Sequence, residues 1–196
     1  MKPWTAIVLA AAALLGACKD STPPPSAAAS APAAPAAAAA KSEVSIETIA
    51  AQGQGFSVGP AMSARVVYVF FDAQCPHCAA LWAAAKPLRS QARFVWMPVS
   101  LLNANSTSQG AALLAAPDPV TAMDGHEASL KAQRGGILAE GKLDAQIAAV
   151  KKNTELFNQY GFASVPTLVT RNAQTGAVVK REGALPTDAL AAFIGI

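Results

Sequence analysis

Arg65-Val66-Val67-Tyr68-Val69-Phe70-Phe71-Asp72 runs through Ala73 and Gln74 into Cys75-Pro76-His77-Cys78. The first eight residues are β-branched or aromatic almost throughout, with no polar alternation. That pattern fits a short central strand buried on both faces. Three residues past Asp72 a helix opens, with Cys78, Leu81, Trp82, Ala85 and Leu88 on or near one face of Pro76–Gln91. Pro87 should kink or shorten its end. Arg93–Ser100 (RFVWMPVS) reads as a second strand. A strand, a helix and a second strand in one sheet make a right-handed crossover, so the two strands are expected to be parallel neighbours.

Further along, Asn105 to Gly161 lacks strand signals and carries three helical patterns, around Ser108–Ala115, Pro119–Gln133 and Leu143–Tyr160. Pro117, Pro119 and Gly135-Gly136 separate them, and Gly161 is placed to cap the last. Thr167–Arg171 and Ala177–Arg181 flank a Gly-containing loop and predict an antiparallel hairpin. Pro186–Ile194 predicts a closing helix with Pro186 in its first turn. A mixed central sheet covered by helices, an α/β layered domain, is the expected fold class.

The chemistry concentrates at Cys75-Pro76-His77-Cys78. The first amide N–H groups of a helix lack partners, and the helix dipole favours negative charge there. A thiolate on Cys75 would be stabilised, which lowers its pKa and makes it the nucleophile. Pro76 suits the first helical position, where a missing N–H costs nothing. His77 can add a donor or a positive charge. Cys78, one turn on and facing inward, can attack a mixed disulfide and release the substrate. A purely structural disulfide is the bland alternative. Zinc would need two further ligands, and the other candidates are His126 and Cys18. Haem attachment wants C-x-x-C-H, but Ala79 follows Cys78. No metal and no cofactor are expected, since a dithiol carries the electrons itself.

Tyr160-Gly161-Phe162-Ala163-Ser164-Val165-Pro166-Thr167-Leu168-Val169 leads from a helix into a strand. A proline opening a strand, in a chain with a C-x-x-C, resembles the cis-proline loop of thioredoxin-fold proteins. That resemblance implies a cis Val165–Pro166 bond lying against the Cys75 sulfur, with Val165 offering backbone hydrogen bonds to an extended substrate. A closer resemblance is to the DsbC/DsbG branch of periplasmic thiol–disulfide proteins, over roughly Ser63 to Gly195. It rests on Phe71-Asp72 ahead of Cys75, on Trp82 and Lys86-Pro87, on Ala112-Leu113-Leu114-Ala115 with Asp118-Pro119, and on Gly183-Ala184-Leu185-Pro186. It implies a thioredoxin fold with a helical insertion and a disulfide isomerase or reductase acting on protein substrates, with a DsbD-like or DsbB-like membrane redox partner. The chain departs from the branch in three places. Only Ser42–Ala61 stands where the branch has a dimerisation domain and linker helix, so a monomer is expected. His77 replaces the usual Tyr and Val165 the usual Thr, and both are closer to the oxidase DsbA. A DsbA-like disulfide oxidase is therefore the alternative enzyme, and a holdase chaperone the alternative outside enzymes.

The chain as a whole has 196 residues, 53% hydrophobic and only 14% charged. Much of the apolar share is alanine outside any core: residues 21–40 hold 11 Ala, 5 Pro, 3 Ser and 1 Thr. Lys2 followed by the apolar Ala6–Leu15 reads as an export signal. The run Trp4–Ala17 is too short to span a bilayer as a helix, which takes about 20 residues. Leu15-Gly16-Ala17-Cys18 resembles a bacterial lipoprotein signal, with residues 1–17 removed and Cys18 acylated. Lys19 after the Cys favours the outer membrane by the same resemblance. Residues 18–44 then form a lipidated Cys and a Pro/Ala/Ser tether that buries too little to order itself, and residues 45–196 the thioredoxin-like domain. Net charge is +3 with no basic stripe, which argues against nucleic acid. His126 is expected to be a solvated helix residue, and Asp72 a cap of the active-site turn. Trp82, Trp96 and Met97 are expected in the core.

Overall fold

The computed structural model describes residues 43–196. The export signal, Cys18 and the tether up to residue 42 lie outside the described residues. The order is α1 (Ile46–Gln52), β1 (Phe56–Val58), β2 (Val66–Asp72), α2 (Pro76–Ala85), a 3₁₀ turn at Lys86–Leu88, β3 (Arg93–Val99), α3 (Asn105–Ala115), α4 (Pro119–Lys131), α5 (Asp144–Gln159), β4 (Thr167–Arg171), β5 (Val178–Glu182) and α6 (Thr187–Ile194). The five strands form one mixed sheet in the order β1-β3-β2-β4-β5. The β2–β3 pair is parallel, with Val69 opposite Trp96, and the other pairs are antiparallel.

β2 reads as an unbroken apolar run because both its faces are covered. Val67, Val69 and Phe71 pack with Leu81, Trp82 and Trp96 on one side. Tyr68 and Phe70 pack with Ile49, Leu156, Phe157 and Phe162 on the other. Edge-to-face ring pairs extend through both layers, Phe71–Trp96 at 5.5 Å and Phe70–Phe157 at 6.0 Å between centroids. Such pairs add about 0.5–1.5 kcal/mol each beyond their buried area. Trp82, Trp96 and Met97 are core residues, as expected.

One expectation at a helix end is met, and three differences from the sequence reading have physical causes. As expected, Pro87 shortens the helix begun at Pro76, which ends at Ala85 and tightens into a 3₁₀ turn because the proline ring cannot continue the α-helical ladder. Pro186 sits one position outside α6, in extended backbone with ψ 160°. The stretch before Ser63, to which the sequence reading assigned no element, forms two: α1 is N-capped by Ser45 Oγ accepting from Thr48 N at 3.1 Å, and β1 pairs with the edge of β3. Finally, His126 is not solvated. It is 1% exposed and doubly hydrogen-bonded, because its face of α4, which includes Met123 one turn earlier, packs inward.

Candidate active site

The site begins where β2 ends. The side chain of Asp72, fully buried, accepts from Gln74 N at 2.9 Å, closing a local turn. Its second oxygen accepts from Leu101 N and Leu102 N at 2.8 and 3.0 Å, tying that turn to the segment after β3. Asp72 therefore does more than cap. Cys75 N donates to Asp72 O at 3.0 Å, which sets Cys75 as the residue preceding the helix. Pro76 follows at the first position of α2. Pro76 and His77 are exposed, Cys75 is 5% exposed and Cys78 is fully buried. Both thiols are free.

The two sulfurs experience opposite surroundings. The Cys75 thiol is brought down to about 6, first by a hydrogen bond from the Cys78 thiol, then by the amides of Cys78 and His77 and the His77 charge, against the opposing effect of burial. Cys78 is pushed far up by burial, by its bond to Cys75 and by the Cys75 charge. A thiol lowered from 9.0 to about 6 favours the thiolate at neutral pH. The pair thus divides into an ionised, barely accessible sulfur and a protonated one beneath it.

The loop after α5 closes the site from the other side. The Val165–Pro166 bond is cis, as the resemblance implied, and the Val165 carbonyl oxygen lies 3.5 Å from the Cys75 sulfur, which donates to it when protonated. Cys75, Pro76, His77 and Val165 border a groove of about 550 Å3 whose other wall includes Leu101, Leu102 and Phe162. Leu101 and Leu102 are 40% and 51% exposed, and neither was singled out in the sequence. Their exposure is visible only once Asp72 has drawn their amides to the turn.

Two further groups on α4 border the turn. His126 Nε2 lies 2.6 Å from Ala73 O, and Ile137 N donates to His126 Nδ1 at 3.0 Å. The carboxyl of Glu127 is pushed up to about 7 by burial and by the Cys75 charge. The spacing of Met123, His126 and Leu130 placed His126 on an apolar stripe. Reading its polarity alone concealed that signal. Among the described residues, no cluster of three His, Cys, Asp or Glu could hold a metal ion.

Residues 57–195 match the thioredoxin-like domain family. The chain belongs to that thioredoxin-like family. It is 35% identical over 145 residues to the thiol:disulfide interchange protein DsbG of Pseudomonas aeruginosa, covering 70% of this chain and 54% of that protein. It therefore spans about half the length of this relative. Among solved structures it is similar to the catalytic domain of Proteus mirabilis ScsC, with TM-score 0.57 and 16% identity over 76% of this chain and 95% of that one. It is also similar to a disulfide interchange protein from Neisseria gonorrhoeae, with TM-score 0.54 and 22% identity over 72% and 93% of the two chains. These structural likenesses establish the thioredoxin-like fold, here with three helices, α3, α4 and α5, between β3 and β4.

Proposed function

We propose that this protein is a thiol:disulfide oxidoreductase of the Dsb type that exchanges disulfides with protein substrates in the cell envelope. One observation carries the reading: Cys75 is held below the ordinary thiol range beside a buried, protonated Cys78 and against the Val165 carbonyl. In the reduced form, the Cys75 thiolate attacks a substrate disulfide. One substrate sulfur leaves as thiolate and a mixed disulfide forms. Cys78 then gives up its proton and attacks the Cys75 sulfur, so the Cys75–Cys78 disulfide forms and the second substrate sulfur departs. Two electrons pass to the substrate. In the reverse direction a substrate thiolate attacks the Cys75 sulfur of the disulfide, and Cys78 leaves and takes up a proton. Pro76 orders the helix start, His77 favours the thiolate, and Val165-Pro166 dock the substrate backbone. The dithiol serves in place of a cofactor.

The relationship to DsbG supports an isomerase or reductase, resupplied with electrons by a DsbD-like membrane partner. The oxidase reading, with a DsbB-like partner, draws on a specific observation, the low Cys75 value of about 6. A stabilised thiolate favours the reduced form and makes the disulfide a strong oxidant. The redox state of Cys75 and Cys78 in cells decides between them: mostly reduced supports isomerase or reductase, mostly oxidised supports oxidase. Cys78→Ala should trap mixed disulfides with substrates, and absence of any such species under alkylating quench would overturn the exchange mechanism. Residues 1–17 are read as a removed signal and Cys18 as the lipidated residue of a periplasmic, outer-membrane-anchored monomer. Globomycin-sensitive processing and detergent-phase partitioning should then be lost in Cys18→Ala, and continued full partitioning would refute the anchor.

A further inference from the structure

The three residues leading into Cys75 are each held by a different part of the chain between β3 and β4. Asp72 is held by the amides of Leu101 and Leu102. The side chain of Gln74 donates to Gln109 Oε1 and accepts from Asn103 Nδ2, the latter at 3.1 Å. Ala73 has only its main chain to offer, and its carbonyl meets His126 Nε2. An amide N–H must donate, so the bond from Ile137 N makes His126 Nδ1 an acceptor. The proton therefore resides on Nε2, which donates to Ala73 O. Burial lowers the His126 pKa, which keeps this neutral tautomer in place near pH 7.

The loop carrying Ile137 is shaped around the same ring. Gly136 has φ +89°, and a Cβ there would come within 2.8 Å of His126 Nδ1 and Cε1. Gln109 Nε2 donates to the neighbouring Gly135 O at 2.6 Å, so the Gln74 bridge and the His126 bridge end two residues apart on one loop, at Gly135 and Ile137. A rigid ring with one donor and one acceptor thus joins two main-chain segments that are far apart in sequence.

We propose that His126 is a positioning residue of the active site, holding Cys75 at the start of α2 by anchoring the Ala73 carbonyl to the Gly136–Ile137 loop. This rests on Cys75 being the attacking thiol. Without the anchor, the turn from Asp72 to Cys75 would sample more positions. The Cys75 sulfur would then spend less time against the helix amides that lower its pKa.

The test uses the full chain with three substitutions. His126→Phe keeps the ring volume and loses both bonds, His126→Gln returns a donor and an acceptor, and Gly136→Ala pushes a methyl against the ring from a loop. Readouts are the thermal midpoint, the pH titration of Cys75 by ultraviolet thiolate absorbance, and the equilibrium with glutathione. In His126→Phe the Cys75 midpoint should rise by roughly one pH unit, a tenfold shift in the ionisation constant. The disulfide should become correspondingly less oxidising. His126→Gln should recover most of the shift, and Gly136→Ala should move it in the same direction as His126→Phe. A folded His126→Phe with lowered thermal midpoint but unchanged Cys75 titration would reduce His126 to a structural role and overturn the proposal. Should His126→Phe fail to fold, an unchanged titration in Gly136→Ala overturns it equally. A parent protein whose Cys75 titrates near 9 would instead refute the thiol reading itself, and the positioning role with it.

Discussion

Cys75 and Cys78 carry the same thiol three positions apart, and their neighbours make them unlike. Cys75 receives hydrogen bonds from the start of α2, while Cys78 faces Leu81 and Trp82 in the core. Iodoacetamide should therefore modify Cys75 first, with a midpoint near 6, and preferential labelling of Cys78 would contradict the assignment. Replacing His77 with Tyr removes a nearby positive charge and should raise that midpoint. Two of the perturbed groups in the site, Cys75 and Glu127, also pull stability in opposite directions with pH. Cys75 is depressed from 9.0, so its contribution to the reduced protein is full above 9.0 and lost as pH falls through about 6. The stability advantage of the reduced parent over Cys75→Ala should shrink over that interval in urea unfolding. Glu127 is raised from 4.5, so its contribution is full below 4.5 and lost as pH rises through about 7. Glu127→Gln should match the parent at pH 4 and exceed it at pH 8, by about 1 kcal/mol after allowance for solvent screening. Equal stability at pH 8 would show that the carboxyl is not held in unfavourable surroundings.

At the scale of elements, β2, the following turn and α2 act as one unit, and Asp72 is its joint. Three main-chain N–H groups converge on its side chain. Asp72→Ala would leave them without that partner, at about 2–4 kcal/mol in total. A clear drop in the unfolding midpoint is expected, with weakened protection of the Leu101 and Leu102 amides in hydrogen exchange. No change in either would mean that water replaces the carboxyl without cost. β2, β3, the β4–β5 hairpin and the helices from α2 onward were legible because their periodicity and their Gly and Pro punctuation are local, whereas α1 was not read. β1 was not legible. Phe56-Ser57-Val58 is too short to announce a strand and becomes one only by pairing with β3. His126 was misread for a related reason, since its burial depends on a carbonyl at Ala73 and an amide at Ile137.

At the scale of the molecule, α1 and β1 occupy the place where the DsbC/DsbG resemblance puts a dimerisation domain. The chain spans 54% of the Pseudomonas aeruginosa relative. Residues 42–196, produced without the preceding segment, should behave as a monomer in light scattering at micromolar concentration, and a dimer mass would refute this. The sequence by itself determined the α/β class, the C-x-x-C at a helix start and the proline at the head of β4. Each is written in contiguous residues and follows from local sterics, apolar periodicity or the unpaired amides of a helix terminus. Only the tertiary structure decided which residues surround the sulfurs. It brought Leu101 and Leu102 to the groove, Val165 to Cys75, and His126 and Glu127 to the active-site turn. Those groups are separated from Cys75 by tens of residues, and their burial and protonation depend on packing that no local pattern encodes.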